Sequence, residues 1–161
     1  MSKIILGIDP GTEISGWALI RWEKNRVELI DLGVIQMKSK ASMAERLGNL
    51  LEELNQLIAK FQPDEVVVET QYVGINPKSA LTVAMSRGVV LASAYSKKIA
   101  VYEVSPTVEK KGLTGKGNAT KEEVQKMCSL IFGRTFTIPF DATDALALAY
   151  SHSNTLKFRS V

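Results

Sequence analysis

The stretch KIILGID (3–9), followed at once by Pro10-Gly11, decides the fold of this 161-residue chain. Its apolar run predicts a buried strand, and the Pro-Gly pair predicts that the strand ends in a turn. The strand therefore finishes on a carboxylate, Asp9, in apolar surroundings where an unpaired charge is costly. An acid in this position is either a turn former or part of a site.

The residues around this strand predict one mixed sheet. Two further strands, 15–22 and 27–37, follow directly, and the polar EKNR stretch between them favours a hairpin turn. The predicted order after them is a helix capped by Ser42 and ended before Pro63, a strand at 65–68, a helix at 78–96, a strand at 99–104, a loop containing Gly112, Gly115 and Gly117, a helix from Thr120 to Phe132 and a helix from Asp141 to Asn154. We therefore predict an α/β fold in a single domain, 1–161, with a five-stranded mixed sheet flanked by helices on both faces.

The composition excludes several classes of protein. Hydrophobic residues make up 45% and charged residues 23%, which is typical of a globular domain rather than a disordered or fibrous chain. One Cys, Cys128, cannot form an intrachain disulfide, and with one His, His152, it provides too few ligands for an ordinary zinc site. We expect a reducing, cytoplasmic location, because the apolar runs are too short to span a membrane and the N-terminus lacks a signal-peptide pattern.

The net charge of +3 is unevenly distributed along the chain. Residues 1–80 carry nine basic and eleven acidic side chains, whereas residues 81–161 carry eleven basic and six acidic ones. The basic second half favours a polyanion, such as a nucleic acid, as a partner.

Four acidic residues lie where acids are unexpected. Asp9 and Glu69 end apolar strands, whereas Asp141 and Asp144 begin a helix rich in Ala and Leu. The i, i+3 spacing places the two helical acids on one face, and the two strands are expected to be neighbours. Structural explanations also exist, namely a turn for Asp9 and helix capping or the helix dipole for the helical pair.

Together the four carboxylates predict a site for a hard divalent cation. Oxygen ligands without a competing His or Cys cluster suit Mg²⁺ or Mn²⁺ rather than zinc. Two such ions about 4 Å apart could hold the attacking and leaving oxygens of an in-line phosphoryl displacement. The residues therefore favour metal-assisted phosphoryl transfer.

Several motifs together resemble the RuvC family of Holliday-junction resolvases, which have a ribonuclease H-like fold. The matching segments follow the family's order across nearly the whole chain: ILGIDPGT with Ser15-Gly16 (4–16), VVVETQY (66–72), SALTVAMSRGVV (79–90), VEKKGLTGKGNATKEEVQKM (108–127) and FDATDALALAYSH (140–152). GIDPGT alone is not specific, because actin-like and Hsp70-like ATPases have a similar motif. Those proteins enclose a nucleotide between two such domains, and this chain has room for one.

The resemblance implies a homodimeric, Mg²⁺-dependent crossover junction endodeoxyribonuclease that binds four-way DNA junctions, with Mn²⁺ as a substitute metal. It would serve DNA recombination and repair by nicking two like-polarity strands symmetrically, leaving 5′-phosphate and 3′-hydroxyl ends. The family's catalytic and metal-binding acids carry over to Asp9, Glu69, Asp141 and Asp144, which would hold two ions per active site. A branch-migration complex is a further candidate partner, as in bacterial members.

Two related functions stay open at this point. The first is a nuclease for a broader range of branched DNA, as a virus-encoded member would be. The second is a non-catalytic, junction-binding relative on the same fold, although such a protein would have no reason to retain four costly acids.

The resemblance also implies several DNA-binding residues. Tyr72 falls where the family has an aromatic residue next to the junction centre, and its ring could stack on a base. Lys110 and Lys121 fall at the family's basic positions near the scissile phosphate and backbone. Lys111 is the alternative to Lys110, because the register of VEKKG is open by one residue.

The glycine-containing segment adds Lys116 to the predicted DNA-binding set. Its neighbours Gly115 and Gly117 would allow the backbone to approach a phosphate closely. Solvated surface lysines are the ordinary explanation for any one of these side chains. As a cluster, they favour DNA.

The remaining candidates concern the core and the dimer. We expect His152 to be a helix-end cation rather than a catalytic residue, and Cys128 to lie in the core. Arg87 could serve the core, a dimer or DNA. The small residues of helix 78–96 permit close helix packing, so the dimer interface is predicted there.

Overall fold

The computed structural model describes residues 2–38, 40–70 and 77–156, and a five-stranded sheet lies at its centre. Its strands are β1 (Ser2–Asp9), β2 (Ile14–Glu23), β3 (Arg26–Gln36), β4 (Glu65–Glu69) and β5 (Ala100–Val104), in the spatial order β3-β2-β1-β4-β5. β2 pairs antiparallel with β1 and β3, whereas β4 pairs in parallel with β1 and β5. The predicted mixed sheet is confirmed, with β1 as the central strand.

Helices cover both faces of the sheet, as predicted. They are α1 (Met43–Phe61), α2 (Pro77–Ser96), α3 (Pro106–Thr114), α4 (Lys121–Phe132) and α5 (Phe140–Leu156). Successive side chains of a strand point to opposite faces, so β1 contributes to two cores. Leu6 and Ile8 pack with α1 and α2, whereas Ile5 belongs to the core formed with α3, α4 and α5.

Local sequence signals account for the starts of two helices. Ser42 forms a capping box with Glu45 before α1, and Thr120 forms one with Glu123 before α4. Both predicted starts are therefore confirmed. No helix in the described part of the chain is both long enough and apolar enough to cross a membrane.

Helix α3 is the main departure from the predicted elements. The residues after Ser105 are predicted as a glycine-containing loop, but Ser105 caps a helix whose first residue is Pro106. Proline suits the first turn of a helix, because its missing N–H would have no helical partner there. Gly112 lies inside this helix and packs against Ser151 of α5, while Gly115 ends it in the left-handed region with a φ of 80°.

Helix α5 lies directly against β1 and β2. A Cβ atom at Gly7 would overlap the carbonyl oxygen of Ala145, and one at Gly16 would overlap that of Asp141. The two glycines therefore allow the helix backbone to approach the sheet closely. Because Gly16 pairs with Asp9 across β1 and β2, the first turn of α5 lies beside the end of β1.

Candidate active site

Asp9 and Glu69 lie side by side at the carboxyl ends of neighbouring parallel strands. Ile8 pairs with Val68 between β1 and β4, and the next residue on each strand is one of the two acids. Neighbouring strands are about 4.8 Å apart. The predicted adjacency of these two strand ends is confirmed, and such strand ends are where α/β folds form their sites.

The first turn of α5 brings two more carboxylates to the same end of the sheet. The Asp141 carbonyl contacts Gly16, the ladder partner of Asp9. Asp141 lines a groove of about 460 Å³ together with Asp9, Glu69 and Lys121. Asp144 is near enough to both Asp9 and Glu69 to alter their ionisation. Acids from three separate elements therefore converge at one place.

Three of the four acids have raised pKa values. Burial raises the pKa of Asp9 well above its ordinary value, and the three neighbouring carboxylates raise it further. Burial, and then the charge of Asp144, raise the pKa of Glu69. Burial also raises the pKa of Asp144, despite the opposing charge of Lys121. Negative charge concentrated in this way favours bound protons or a bound cation.

Lys121 supplies positive charge at the edge of this cluster. Its Nζ lies 3.4 Å from Oδ2 of Asp144, and its side chain is 60% exposed. Burial disfavours the charged lysine, but Asp144, Asp9 and Asp141 together outweigh burial, so the pKa of Lys121 is raised. A cation at the first residue of α4 opposes the helix dipole, so helix stability does not explain this residue. The contact of Lys121 with Asp144 in the acidic site explains it.

The structure separates the three other predicted lysines. Lys110 lies close enough to Glu69 for its charge to lower the pKa of that acid, against the larger, raising effect of burial. Lys111 instead lines a second groove, between α3 and α5. Lys116 is exposed, with its Nζ 4.0 Å from Oε1 of Glu123. Of the two alternatives in the VEKKG register, Lys110 is therefore the lysine near the acids.

The two glycines next to Lys116 have structural reasons of their own. Gly115 ends α3 with a positive φ, and a Cβ atom at Gly117 would lie 2.7 Å from Cγ2 of Thr107. Their backbone freedom is therefore needed by the fold whether or not DNA binds. Their predicted contact with phosphate stays a prediction.

Glu109 is a fifth acidic residue that the sequence reasoning missed. Its side chain is buried on α3, and burial, followed by the charges of Glu69, Asp144 and Asp9, raises its pKa to about 9. The available signal was the Ser105-Pro106 pair, which starts the helix. Once α3 is recognised, Glu109 and Leu113 share its buried face at i, i+4 spacing.

The position of His152 differs from the predicted one. It is predicted to be a helix-end cation, but it lies within α5, is 3% exposed and has its Nε2 2.7 Å from Oε2 of Glu65. Its ring also contacts that of Tyr102, with 4.4 Å between the centroids. This contact lies at the opposite end of β4 from Glu69, so His152 is not part of the carboxylate cluster.

The structure places two further predicted residues, Cys128 and Arg87, but not Tyr72. Cys128 is buried, and burial raises the pKa of its thiol to about 12, so the core placement is confirmed. Arg87 forms an ion pair with Glu103 of β5, which favours a packing role. Tyr72 lies outside the described residues.

The donor set fits a hard divalent cation in its chemistry. Carboxylate oxygens are the ligands that Mg²⁺ prefers, and the charges of three neighbouring carboxylates add to burial in raising the pKa of Asp9, an effect that a cation would oppose. Among the described residues, no three acidic, His or Cys side chains are grouped closely enough to hold an ion as they stand. Three of the four acids, Asp9, Glu69 and Asp141, nevertheless line one groove.

Known proteins resemble this chain over nearly its full length. The family model for crossover junction endodeoxyribonuclease RuvC matches residues 5–152. Crossover junction endodeoxyribonuclease RuvC of Chlamydia caviae is 40% identical over 159 residues, a match that covers 96% of this chain and 95% of the relative.

Solved structures share the fold. The structure described as T. thermophilus RuvC in complex with Holliday junction substrate has a TM-score of 0.89 and 28% identity, covering 98% of this chain and 97% of that chain. The fowlpox virus Holliday junction resolvase has a TM-score of 0.61 and 16% identity, covering 95% and 99%. The viral protein is similar in fold alone.

Proposed function

The chain belongs to the crossover junction endodeoxyribonuclease RuvC family, and from this premise we propose that it binds four-way DNA junctions and resolves them by paired, symmetric nicks. The ribonuclease H-like fold expected from the resemblance is confirmed. The reaction is hydrolysis of a phosphodiester in each of two like-polarity strands, leaving 5′-phosphate and 3′-hydroxyl ends. Its biological setting is DNA recombination and repair.

The strongest support for this proposal is the convergence of the four acids at one end of the sheet. Asp9 and Glu69 end adjacent parallel strands, and the first turn of α5 brings Asp141 and Asp144 to the same place. Burial raises the pKa values of Asp9, Glu69 and Asp144, and the charge of at least one other acid of the group raises each of them further, which supports a shared site. A bound cation would offset the cost of bringing these carboxylates together.

Mg²⁺, with Mn²⁺ as a substitute, is the proposed cofactor. Asp9, Glu69, Asp141 and Asp144 would hold two ions, and Asp9 is the proposed shared ligand because it ends the central strand. Metal ions in such sites lower the pKa of water and stabilise the charge on a leaving oxygen.

The lysines complete the proposed site. Lys121 lies 3.4 Å from Asp144 and favours its ionised form, while its exposed ammonium group can also meet a phosphate. Lys110 favours the ionised form of Glu69 in the same way. Lys111, Lys116 and Tyr72 are kept as proposed DNA contacts.

We propose a homodimer, because two symmetric nicks match a two-fold symmetric enzyme. The interface is predicted on helix α2 from its small residues, and Leu81 and Met85, which are exposed by 59% and 41% and lie one turn apart on this helix, support the same surface. Light scattering should give a dimer mass. Leu81→Lys should shift the protein to monomers, whereas Leu130→Lys, at an exposed position on α4, should not. A monomeric wild-type protein would contradict this part of the proposal.

The other candidate functions have less support. The curated relative at 40% identity shares the family name over almost its whole length, while the viral resolvase is similar in fold alone. All four acids are present, which argues against a non-catalytic relative. A branch-migration complex stays a proposed partner, and the cytoplasm stays the proposed location.

A synthetic four-way junction tests the proposal. Each of its four strands is end-labelled in turn, and a linear duplex of the same sequence serves as control. We expect Mg²⁺-dependent nicks at symmetric positions in two opposing strands, which DNA ligase can seal. Cleavage of the duplex at the rate of the junction, or nicks that ligase cannot seal, would contradict it.

A further inference from the structure

Three side chains form a buried polar contact at the end of the sheet opposite the candidate active site. Glu65 is 2% exposed, and its Oε2 lies 2.7 Å from Nε2 of His152. Its other oxygen, Oε1, accepts a hydrogen bond from Nζ of Lys3. We call this group the Lys3–Glu65–His152 clamp. Both oxygens of a buried carboxylate are thereby paired with a nitrogen.

The clamp joins the same three elements that carry the four acids. Lys3 and Asp9 are on β1, and Glu65 and Glu69 are on β4. Asp141, Asp144 and His152 are on α5. Each element therefore has an acid of the candidate site towards one end and a clamp residue towards the other.

The packing of α5 explains why such a contact would matter. The helix meets β1 and β2 at Gly7 and Gly16, where no side chain projects from the sheet towards it. Its buried residues include four alanines as well as Leu146, Leu148 and Leu156, and apolar contacts of this kind are non-directional. A directional contact at His152 would add a constraint on the position of α5 along its own axis, and so on the height of its first turn above the strand ends.

Burial and distance exclude a direct role for His152 in the reaction. Eight residues of helix separate it from Asp144, which corresponds to about 12 Å along the axis. Its side chain is only 4% exposed and cannot reach DNA. Its ring also contacts Tyr102 of β5, which adds a fourth element to the contact.

We propose that the Lys3–Glu65–His152 clamp positions the carboxylates of α5 against those of β1 and β4. His152 is thus a positioning residue for metal binding and cleavage, and this inference rests on the proposed function. The mechanism is the axial placement of a helix, not proton transfer.

The test compares three variants at a temperature where each is fully folded by circular dichroism. His152→Ala removes the contact. His152→Gln keeps an amide nitrogen at about the position of Nε2. Leu50→Ala is the control, because it removes a buried side chain of α1 on the other face of the sheet. Mn²⁺ affinity is measured by electron paramagnetic resonance without DNA, and cleavage is measured in single turnover with Mg²⁺.

We expect His152→Ala to bind Mn²⁺ at least five-fold more weakly and to cleave at least ten-fold more slowly, with junction affinity in EDTA within two-fold of wild type. His152→Gln should recover most of both losses, and Leu50→Ala should show neither. Wild-type Mn²⁺ affinity and rate in His152→Ala, or equal losses in Leu50→Ala, would overturn the proposal. If His152→Ala does not fold, Lys3→Met replaces it, because Lys3 is partly exposed, and the same losses are expected.

The two readouts separate this inference from the proposed function. A wild-type protein that does not cut junctions would contradict the proposed substrate. If His152→Ala then still weakens Mn²⁺ binding and His152→Gln restores it, the positioning role holds. If Mn²⁺ affinity is the same in all variants, the positioning role fails whatever the substrate.

Discussion

Glu109 shows how far a single buried acid can depart from its ordinary behaviour. Burial and three neighbouring carboxylates raise its pKa to about 9, so it holds a proton at neutral pH in the folded protein. In the unfolded chain the same side chain ionises near its ordinary pKa, 4.5. The folded state therefore binds one more proton than the unfolded state between these two values, and stability falls as the pH rises through that range.

Glu109→Gln should remove this pH dependence. The free energy of unfolding of the variant should exceed that of wild type by an amount that grows from pH 5 to about pH 9, with a slope approaching about 1.4 kcal/mol per pH unit. Urea unfolding in EDTA at several pH values measures it. Glu53→Gln, at an exposed position on α1, is the matched control and should give a constant difference. A difference for Glu109→Gln that is independent of pH would contradict the assignment.

Lys121 is expected to act on both DNA and Asp144. Lys121→Met should weaken junction binding several-fold and lower the slope of log affinity against log salt concentration by about 0.9, because one phosphate contact is lost. It should also raise the pKa of Asp144, whose ionised form Lys121 favours, so half-maximal cleavage should move to higher pH. Lys126→Met, farther along α4 and exposed, serves as control. Unchanged salt dependence would argue against a phosphate contact.

Two features of single residues could not be predicted from the sequence: the partner of His152, and the choice between Lys110 and Lys111. His152 has its partner Glu65 87 positions away, and no local pattern reveals such a pair. Lys110 and Lys111 are both plausible in sequence, and only the orientation of α3 places the first near the acids and the second in another groove. Asp9 and Glu69, by contrast, could be predicted as neighbours because parallel strands joined by one crossover usually lie side by side.

At the scale of elements, the strands and most helices follow from local patterns. Capping boxes mark α1 and α4, and apolar runs mark the strands. The glycines of helix α3 lead to the prediction of a loop in its place. In the structure Gly112 allows close packing against Ser151, and Gly115 ends the helix. Tertiary contact overrides the weak local preference here.

The close approach of α5 to the sheet depends on Gly7 and Gly16, and a substitution at Gly16 tests it. Gly16→Ala places a Cβ atom against the Asp141 carbonyl and should push away the first turn of α5. We expect a loss of about 1–3 kcal/mol in stability and a larger loss of cleavage than stability alone explains. Gly48→Ala, inside α1 with open space around it, should instead stabilise by about 0.5–1 kcal/mol. Chemical denaturation and single-turnover cleavage measure both.

A Gly16→Ala variant that keeps wild-type stability would show that the helix can withdraw without cost. A variant that keeps wild-type cleavage would show that the height of Asp141 above β1 does not matter. Either result would contradict the structural account of this contact.

At the scale of the whole molecule, the carboxylates gather at one end of the sheet and the Lys3–Glu65–His152 clamp lies at the other. The net charge of +3 understates the attraction for DNA, because four of the seventeen acids would be neutralised by bound metal. The second half of the chain would then carry eleven basic residues against four acidic ones. A basic molecule with an acidic groove that binds cations, as we propose, would be suited to a polyanionic substrate.

The central claim is that Asp9 and its three acidic neighbours form a metal-dependent nuclease site. The most direct measurement compares wild type, Asp9→Asn and the control Asp31→Asn on one labelled four-way junction, with Mg²⁺ and with EDTA. Wild type and Asp31→Asn should cleave only with Mg²⁺, whereas Asp9→Asn should bind the junction as tightly as wild type and leave it uncut. Cleavage by Asp9→Asn at the wild-type rate in Mg²⁺ would contradict the account.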